Sequence, residues 1–196
     1  MLKINILPLG AYQTNTYIVR EESAKTCFVI DPGYEADTIL DTLDQLGLSV
    51  EAILLTHGHH DHVGAVREIA AETGCKVYIH PNDLTLPPAF TAGKLFYTDH
   101  YSEGDTLTLA GLTIQVMHTP GHTRGSVCLL CGGAMFSGDT LFAGSCGRTD
   151  LPGGDWVTIK ESLGRLNGLD ADYRVFPGHG ESTTLAMEKQ YNPYLR

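Results

Sequence analysis

The residues Thr56-His57-Gly58-His59-His60-Asp61-His62 follow an apolar run, Ala52-Ile53-Leu54-Leu55, and lead into a helical pattern that starts near Val63. That order dictates a strand covered on both faces, a sharp turn that Gly58 permits, and then helix onset. His57 and His59, two apart in the loop, then face one point, and Asp61 and His62 at the helix onset face a second. Imidazole nitrogens and carboxylate oxygens are ligands for borderline divalent ions such as zinc, iron or manganese, so the H-x-H-x-D-H spacing reads as metal ligation.

Three further pieces resemble one another in setting. His118 in Val116-Met117-His118-Thr119-Pro120-Gly121-His122, Asp139 in Phe136-Ser137-Gly138-Asp139-Thr140, and His179 in Val175-Phe176-Pro177-Gly178-His179 each stand where an apolar strand gives way to a Gly-bearing turn. Rigid strands aim such side chains while the loops leave room for substrate. With the first motif they supply ligands for two ions. His60 is expected to face solvent or a supporting partner, and His80, His100 and His122 to be structural.

The rest of the chain alternates strand and helix signals. Residues 2–9, 15–20 and 25–30 predict a meander of three strands, residues 35–46 an amphipathic helix closed by Gly47, and residues 52–55 a buried strand. A second helical stripe runs through Val63, Val66, Ile69 and Ala70 to Gly74, and a strand follows at 76–79. Residues 81–101 are irregular, either a lid over a site or a poorly ordered loop. The second half repeats the theme, with strands at 106–109, 112–117, 126–131, 134–136 and 173–176 and helices at 156–166 and after Glu181. Two sheets face to face with helices outside satisfy these apolar faces. No linker separates the halves, so residues 1–196 are expected to form a single domain.

Composition narrows the partners. The formal net charge is −10 and there is no basic run, which argues against nucleic acid as a partner. No stretch approaches a membrane span, and the short alternating start is not a signal-peptide core. With five cysteines, an odd number, a reduced cytoplasmic setting is expected. Cys128 and Cys131 lie in a strand-like run and, three apart, point to opposite faces; they are expected to be core thiols rather than a redox or zinc pair.

The order His57-x-His59-x-Asp61-His62, then His118, Asp139 and His179, resembles the metallo-β-lactamase superfamily over nearly the whole chain. The Cys146-Gly147-Arg148-Thr149-Asp150 loop and the carboxylate Asp139 are most similar to its glyoxalase II (hydroxyacylglutathione hydrolase) branch, in a short single-domain form. The resemblance implies an α/β fold, a four-layer αββα sandwich with a dinuclear site along one edge. It implies that His57, His59 and His118 hold one divalent ion, that Asp61, His62 and His179 hold the other, and that Asp139 bridges them. Zinc is the first expectation for both ions, with iron or manganese as alternatives.

Elementary chemistry agrees with two ions sharing a carboxylate. A shared anion offsets the repulsion between cations about 3.5 to 4 Å apart, and a bound metal lowers the pKa of water from 15.7 to about 7. Asp61 is placed to orient the resulting hydroxide, a catalytic role. A thiolate leaves a tetrahedral intermediate unprotonated, whereas an amine needs an acid, and no extra acid stands beside the ligands. The expected substrate is therefore a small-molecule acyl thioester such as S-lactoylglutathione, hydrolysed through a metal-bound hydroxide.

The sequence departs from full-length glyoxalase II in two ways. Such enzymes add a helical C-terminal region with basic residues for glutathione, whereas this chain ends at Arg196, and Gly180-Glu181-Ser182 stands where they carry a Tyr. Arg148 either anchors a substrate carboxylate or braces its loop by pairing with Asp150. The alternatives are a persulfide dioxygenase, which would hold one iron with His57, His118 and Asp139, and a non-catalytic metal-binding domain. A β-lactamase branch often places Cys where Asp139 stands, and an RNA-processing nuclease would want a basic surface. Cys146 is expected to fill its loop, and Phe142 and Trp156 to fill core rather than wall a pocket.

Overall fold

A computed structural model describes residues 1–195. Strands β1 (Leu2–Leu9), β2 (Thr14–Glu21) and β3 (Thr26–Ile30) form the antiparallel meander. Helix α1 (Ala36–Leu46) then crosses to β4 (Ser49–Leu54), which runs parallel to β3. The stripe expected as one helix is two, α2 (His60–Val63) and α3 (Val66–Thr73). The break has a local cause: the Ala65 N–H donates to the Pro32 carbonyl at 3.0 Å instead of continuing the helical ladder. Strand β5 (Lys76–Ile79) pairs parallel with β4, and the short β6 (Asp99–His100) completes the first sheet in the order β1-β2-β3-β4-β5-β6.

The segment between β5 and β6 is built rather than loose. It holds two 3-10 turns, Pro81–Thr85 and Pro88–Phe90, and its Asp83 is fully buried.

Strands β7 (Thr106–Leu109), β8 (Leu112–His118), β9 (Val127–Cys131) and β10 (Ala134–Gly138) are antiparallel neighbours in turn. A separate hairpin, β11 (Leu141–Phe142) with β12 (Ser145–Cys146), precedes helix α4 (Trp156–Asn167). Strand β13 (Arg174–Pro177) joins β10 in parallel, β14 (Thr183–Thr184) pairs with β13, and helix α5 (Leu185–Tyr191) follows. The second sheet therefore reads β14-β13-β10-β9-β8-β7.

Three apolar clusters stack these elements into four layers. Tyr17, Phe28, Leu54, Val116, Leu129 and Phe136 pack between the two sheets. Ile39 and Leu43 of α1 and Ile69 of α3 cover the first sheet against Val29, Ile53 and Leu55. Ile159, Leu163 and Leu166 of α4 and Leu185 of α5 cover the second against Met117, Cys128 and Val175. The non-alternating β4 explains itself here, since Ala52 and Leu54 face the other sheet while Ile53 and Leu55 face the helices. Cys128 and Cys131 divide in the same way, one under α4 and one between the sheets, and all five cysteines are free thiols.

The ends of β4, β8, β10 and β13 meet along one edge of the sandwich and are tied there. Val127 N donates to Thr56 O at 2.9 Å, Gly178 N to Gly138 O at 2.8 Å, and Asn15 N to Gly178 O at 2.8 Å. Among the described residues no helix is long and apolar enough to cross a membrane.

Candidate metal centre

The loop after β4 and the onset of α2 carry His57, His59, Asp61 and His62 to that edge, where Asp139 arrives from the end of β10 and His179 from the end of β13. The fourth arrival is His122, not His118. The ring of His118 stacks on His80 at 4.1 Å and 5° between planes, and its Nε2 donates to the Arg124 carbonyl at 2.9 Å, away from the cluster.

His122 takes the place expected of His118 because the chain runs on for one more turn after β8. Gly121 adopts φ 131°, and its N–H donates to Thr123 O at 2.9 Å. A β-carbon on Gly121 would lie 2.3 Å from the Ile159 nitrogen of α4, so only glycine lets this turn sit against the helix. The turn swings His122 inward, where Nε2 lies 2.8 Å from His59 Nδ1 and 3.5 Å from Asp139 Oδ2. His122 is thus part of the cluster, contrary to its expected structural role. The sequence did carry a signal for it: Pro120-Gly121-His122 repeats the Pro177-Gly178-His179 triplet.

The ligand atoms fall into two groups. His57, His59 and His122 each offer a nitrogen within 4.8 Å of the others, and an oxygen of Asp61 and nitrogens of His62 and His179 lie equally close to one another. Asp139 stands between them, with Oδ1 3.4 Å from His62 Nε2 and Oδ2 3.5 Å from His122 Nε2 and 3.6 Å from His179 Nε2. Asp31, His57 and His62 also come within that range, but the oxygens of Asp31 are spent on Thr56 N (2.7 Å), Thr56 Oγ1 (2.5 Å) and His62 Nδ1 (2.9 Å). Asp31 is a support for the cluster rather than a member.

Four of the five imidazoles share one arrangement. Nδ1 of His62 donates to Asp31 Oδ2 at 2.9 Å, that of His122 to the Arg148 carbonyl at 2.8 Å, that of His179 to the Tyr12 carbonyl at 3.2 Å, and that of His57 to Thr56 Oγ1 at 3.2 Å. Each outer contact engages Nδ1 and turns Nε2 to the interior, where a metal can take the place of a proton. Close packing leaves His57 Nε2 and Asp139 Oδ1 buried with no hydrogen-bond partner. His59 Nε2 is likewise unpaired, and His59 meets His122 through Nδ1. Orphaned lone pairs of this kind fit a cation, which both nitrogen and carboxylate oxygen accept.

The electrostatics follow from crowding. Burial, and then the neighbouring imidazoles of His62 and His122, hold His57 far below its ordinary pKa. Burial and His122 take His59 down to about 3, so both rings stay neutral and able to take a metal ion. Burial alone would raise the carboxyl of Asp139, but His62 foremost, then His122 and His179, override it and carry it down to about 2. The carboxyl of Asp61 is pulled below its usual range in the same way, burial being outweighed by the hydrogen bond from His179 and the charge of His62. Burial works against protonation of His62, yet Asp139 and Asp31 on either side raise it well above the usual histidine range.

Gly178 makes the closure possible, since a β-carbon there would sit 2.2 Å from Asp139 Oδ1 and 2.6 Å from His62 Cε1. Asp83 ties the two ligand loops from below. It accepts from Gly58 N at 2.8 Å, Gly125 N at 2.6 Å and Thr123 Oγ1 at 2.9 Å.

A cleft of about 670 Å³ opens onto the cluster. Tyr12, Phe90, Phe142, Cys146, Arg148 and Leu151 are among its walls, so Phe142 lines a pocket rather than fills core, while Cys146 both borders the cleft and packs, partly buried, against the apolar cluster under α4. Trp156 is 46% exposed and meets Tyr194 edge-on at 6.0 Å, away from both core and cleft walls. Arg148 is paired fork to fork with Asp150, Nε to Oδ1 and Nη2 to Oδ2, both at 2.7 Å. His60 is exposed, edge-on to Tyr12.

Residues 9–179 match the family model described as the metallo-beta-lactamase superfamily. The chain belongs to that superfamily. It is 34% identical to the hydroxyacylglutathione hydrolase GloC of Haemophilus influenzae over 99% of this chain and 98% of the relative. It is 35% identical to the probable metallo-hydrolase YqgX of Bacillus subtilis, with the same coverage. Among solved structures, the BLEG-1 B3 metallo-beta-lactamase superposes with a TM-score of 0.90 at 35% identity, covering 100% of this chain and 99% of that one. TTHA1623 in a di-iron-bound form gives 0.87 at 39% identity, covering 97% and 99%. With the superfamily comes its αββα sandwich, the four layers described above.

Proposed function

We propose that this chain hydrolyses acyl thioesters with two divalent cations. The observation that carries the reading is the pair of three-ligand groups on either side of Asp139, with His57 Nε2, His59 Nε2 and Asp139 Oδ1 buried without partners. His57, His59 and His122 would hold one cation, Asp61, His62 and His179 the other, and Asp139 both. When bound, such a pair supplies a nucleophile ionised near neutral pH and Lewis acidity toward a carbonyl.

The chain's own residues do the rest. Asp31, Thr56 and the carbonyls of Tyr12 and Arg148 hold four imidazoles by Nδ1, so the ligands are set before substrate arrives. Asp61, held ionised by His179, keeps an oxygen beside the second group and can accept a hydrogen bond from an attacking water there and orient it. The aromatic walls exclude bulk water around the acyl group. Outside the ligand set, the cleft's walls carry no further carboxylic acid among the described residues, and His60 is exposed and turned outward, so a leaving group that departs unprotonated suits the site. A thiolate does so. The likeness to a hydroxyacylglutathione hydrolase supports the same bond.

A steady-state assay of zinc-, iron- and manganese-loaded protein on S-lactoylglutathione and on simpler thioesters tests this. Turnover lost in His122→Ala supports it; no turnover with any metal overturns it. A second reading, a persulfide dioxygenase with one iron on His57, His122 and Asp139, is favoured by the Gly147-Arg148-Thr149-Asp150 loop and by likeness to ETHE1 from Myxococcus xanthus (29% identity, TM-score 0.84, covering 97% of this chain and 83% of that one). One iron per chain with oxygen uptake would select it. Nitrocefin hydrolysis in the same panel would instead point to β-lactams.

A further inference from the structure

The walls of the cleft carry information about the substrate that the ligand cluster does not. Beyond the cluster, Tyr12, Phe90, Phe142 and Leu151 present apolar surface around the opening. The Phe142 ring stands edge-on to His179 at 6.2 Å and the Tyr12 ring edge-on to His60 at 5.8 Å, so aromatic surface begins directly beside the cluster. Tyr12 is 61% exposed, a large ring left to water until a ligand covers it.

Charge tells the same story from the other side. Among the described residues, Arg148 is the one permanently cationic side chain on the cleft's walls, and both carboxylate oxygens of Asp150 already occupy its fork. Glutathione carries two carboxylates, and a chain of net charge −10 would have to supply cations to hold them. The one cation on these walls is already paired with Asp150.

The aromatic wall is also held rigid. Glu188 of α5, 5% exposed, accepts from Gly144 N at 2.8 Å in the β11–β12 turn, and Asn192 donates to Ser145 O at 3.0 Å and Phe142 O at 3.3 Å. The hairpin bearing Phe142 is thereby set in place before binding, which lowers the ordering cost of an apolar ligand.

We propose that the substrates of this cleft are acyl thioesters with an uncharged aromatic or alkyl group laid against Tyr12, Phe90 and Phe142, and that Arg148 braces its loop instead of binding a substrate carboxylate. This rests on the thioester reading above. The test compares zinc-loaded full-length protein on S-phenylacetyl-N-acetylcysteamine and on S-lactoylglutathione. It adds calorimetric binding of two inert thioethers, S-benzyl-N-acetylcysteamine and S-methylglutathione.

The neutral thioester is expected to have a kcat/KM at least tenfold higher, and the neutral thioether to bind more tightly. Phe142→Ala raises the KM for the neutral thioester about tenfold, Phe142→Leu recovers most of that loss, and Arg148→Ala leaves the ratio of the two kcat/KM values within about twofold of the wild type. Preference for the glutathione thioester, or a tenfold KM rise for it in Arg148→Ala, overturns the inference. Tight binding of the neutral thioether without turnover of either thioester would sink thioester hydrolysis and leave the apolar cleft standing; neither binding nor turnover would sink both.

Discussion

Asp31 Oδ2 accepts from His62 Nδ1 at 2.9 Å, and both side chains are buried to within 2% of full coverage. The carboxylate also takes Thr56 N and Thr56 Oγ1, and Thr56 Oγ1 in turn accepts from His57 Nδ1. One anion at the end of β3 therefore orients a ligand from each group. Asp31 itself sits at φ 49°, a left-handed conformation held by these contacts. Asp31→Asn is expected to weaken binding of the second cation about 10- to 100-fold, read by competition with a chelator, while the far-UV spectrum stays that of the native fold. Unchanged affinity would show that His62 needs no such support.

His118 and His122 are separable by metal content. His122→Ala should lose one cation per chain by mass spectrometry, and His118→Ala should keep both, because His118 meets Arg124 and His80 instead of the cluster. The reverse pattern would restore the assignment expected from the strand end.

Asp83 offers a stability test. Its three donors, Gly58 N, Gly125 N and Thr123 Oγ1, would be left buried in Asp83→Ala, at about 1 to 3 kcal/mol each for an unmet donor. Urea unfolding is expected to show a loss of about 3 kcal/mol or more, with Asp83→Asn milder because an amide oxygen still accepts. A loss below about 1 kcal/mol would mean that the two loops are held without it.

His80 sets a pH dependence outside the cluster. It is buried and stacked on His118, and burial, then His118 and His100, lower its pKa to about 4. A histidine depressed in the folded state binds its proton more readily when unfolded, near 6.5. Its contribution is therefore fully present above about pH 6.5 and is lost as pH falls toward 4. Between pH 7 and 5 the wild type should lose about 2 kcal/mol more than His80→Gln in denaturant titrations at the two pH values. Equal losses would remove His80 as a contributor.

Glu188 tests the cleft wall from a distance. Glu188→Ala frees the β11–β12 turn and should raise KM for a thioester several-fold with metal content unchanged, since no ligand touches α5. A loss of metal instead would place the hairpin in the support of the cluster.

Much of this architecture is legible in the chain itself. The non-alternating β4, the opening meander and the stripe of α1 follow from hydropathy period, and the H-x-H-x-D-H motif needs no tertiary knowledge because its members share one loop. His118 was the natural choice as a strand-end histidine, but the inward turn at Gly121 depends on α4 packing against it, a contact that sequence spacing does not encode. Asp31 and Asp83 are invisible for the same reason. Each is one carboxylate beside a turn, and its meaning lies in donors far along the chain. Phe142 looks like core by composition and becomes a wall because its hairpin lies outside both sheets.

The central claim is a paired metal centre built with His122. Anomalous diffraction from zinc-grown crystals measures it directly. Two peaks are expected, one against His57, His59 and His122, the other against Asp61, His62 and His179, with Asp139 touching both. No peak, a single peak, or a peak beside His118 would contradict it.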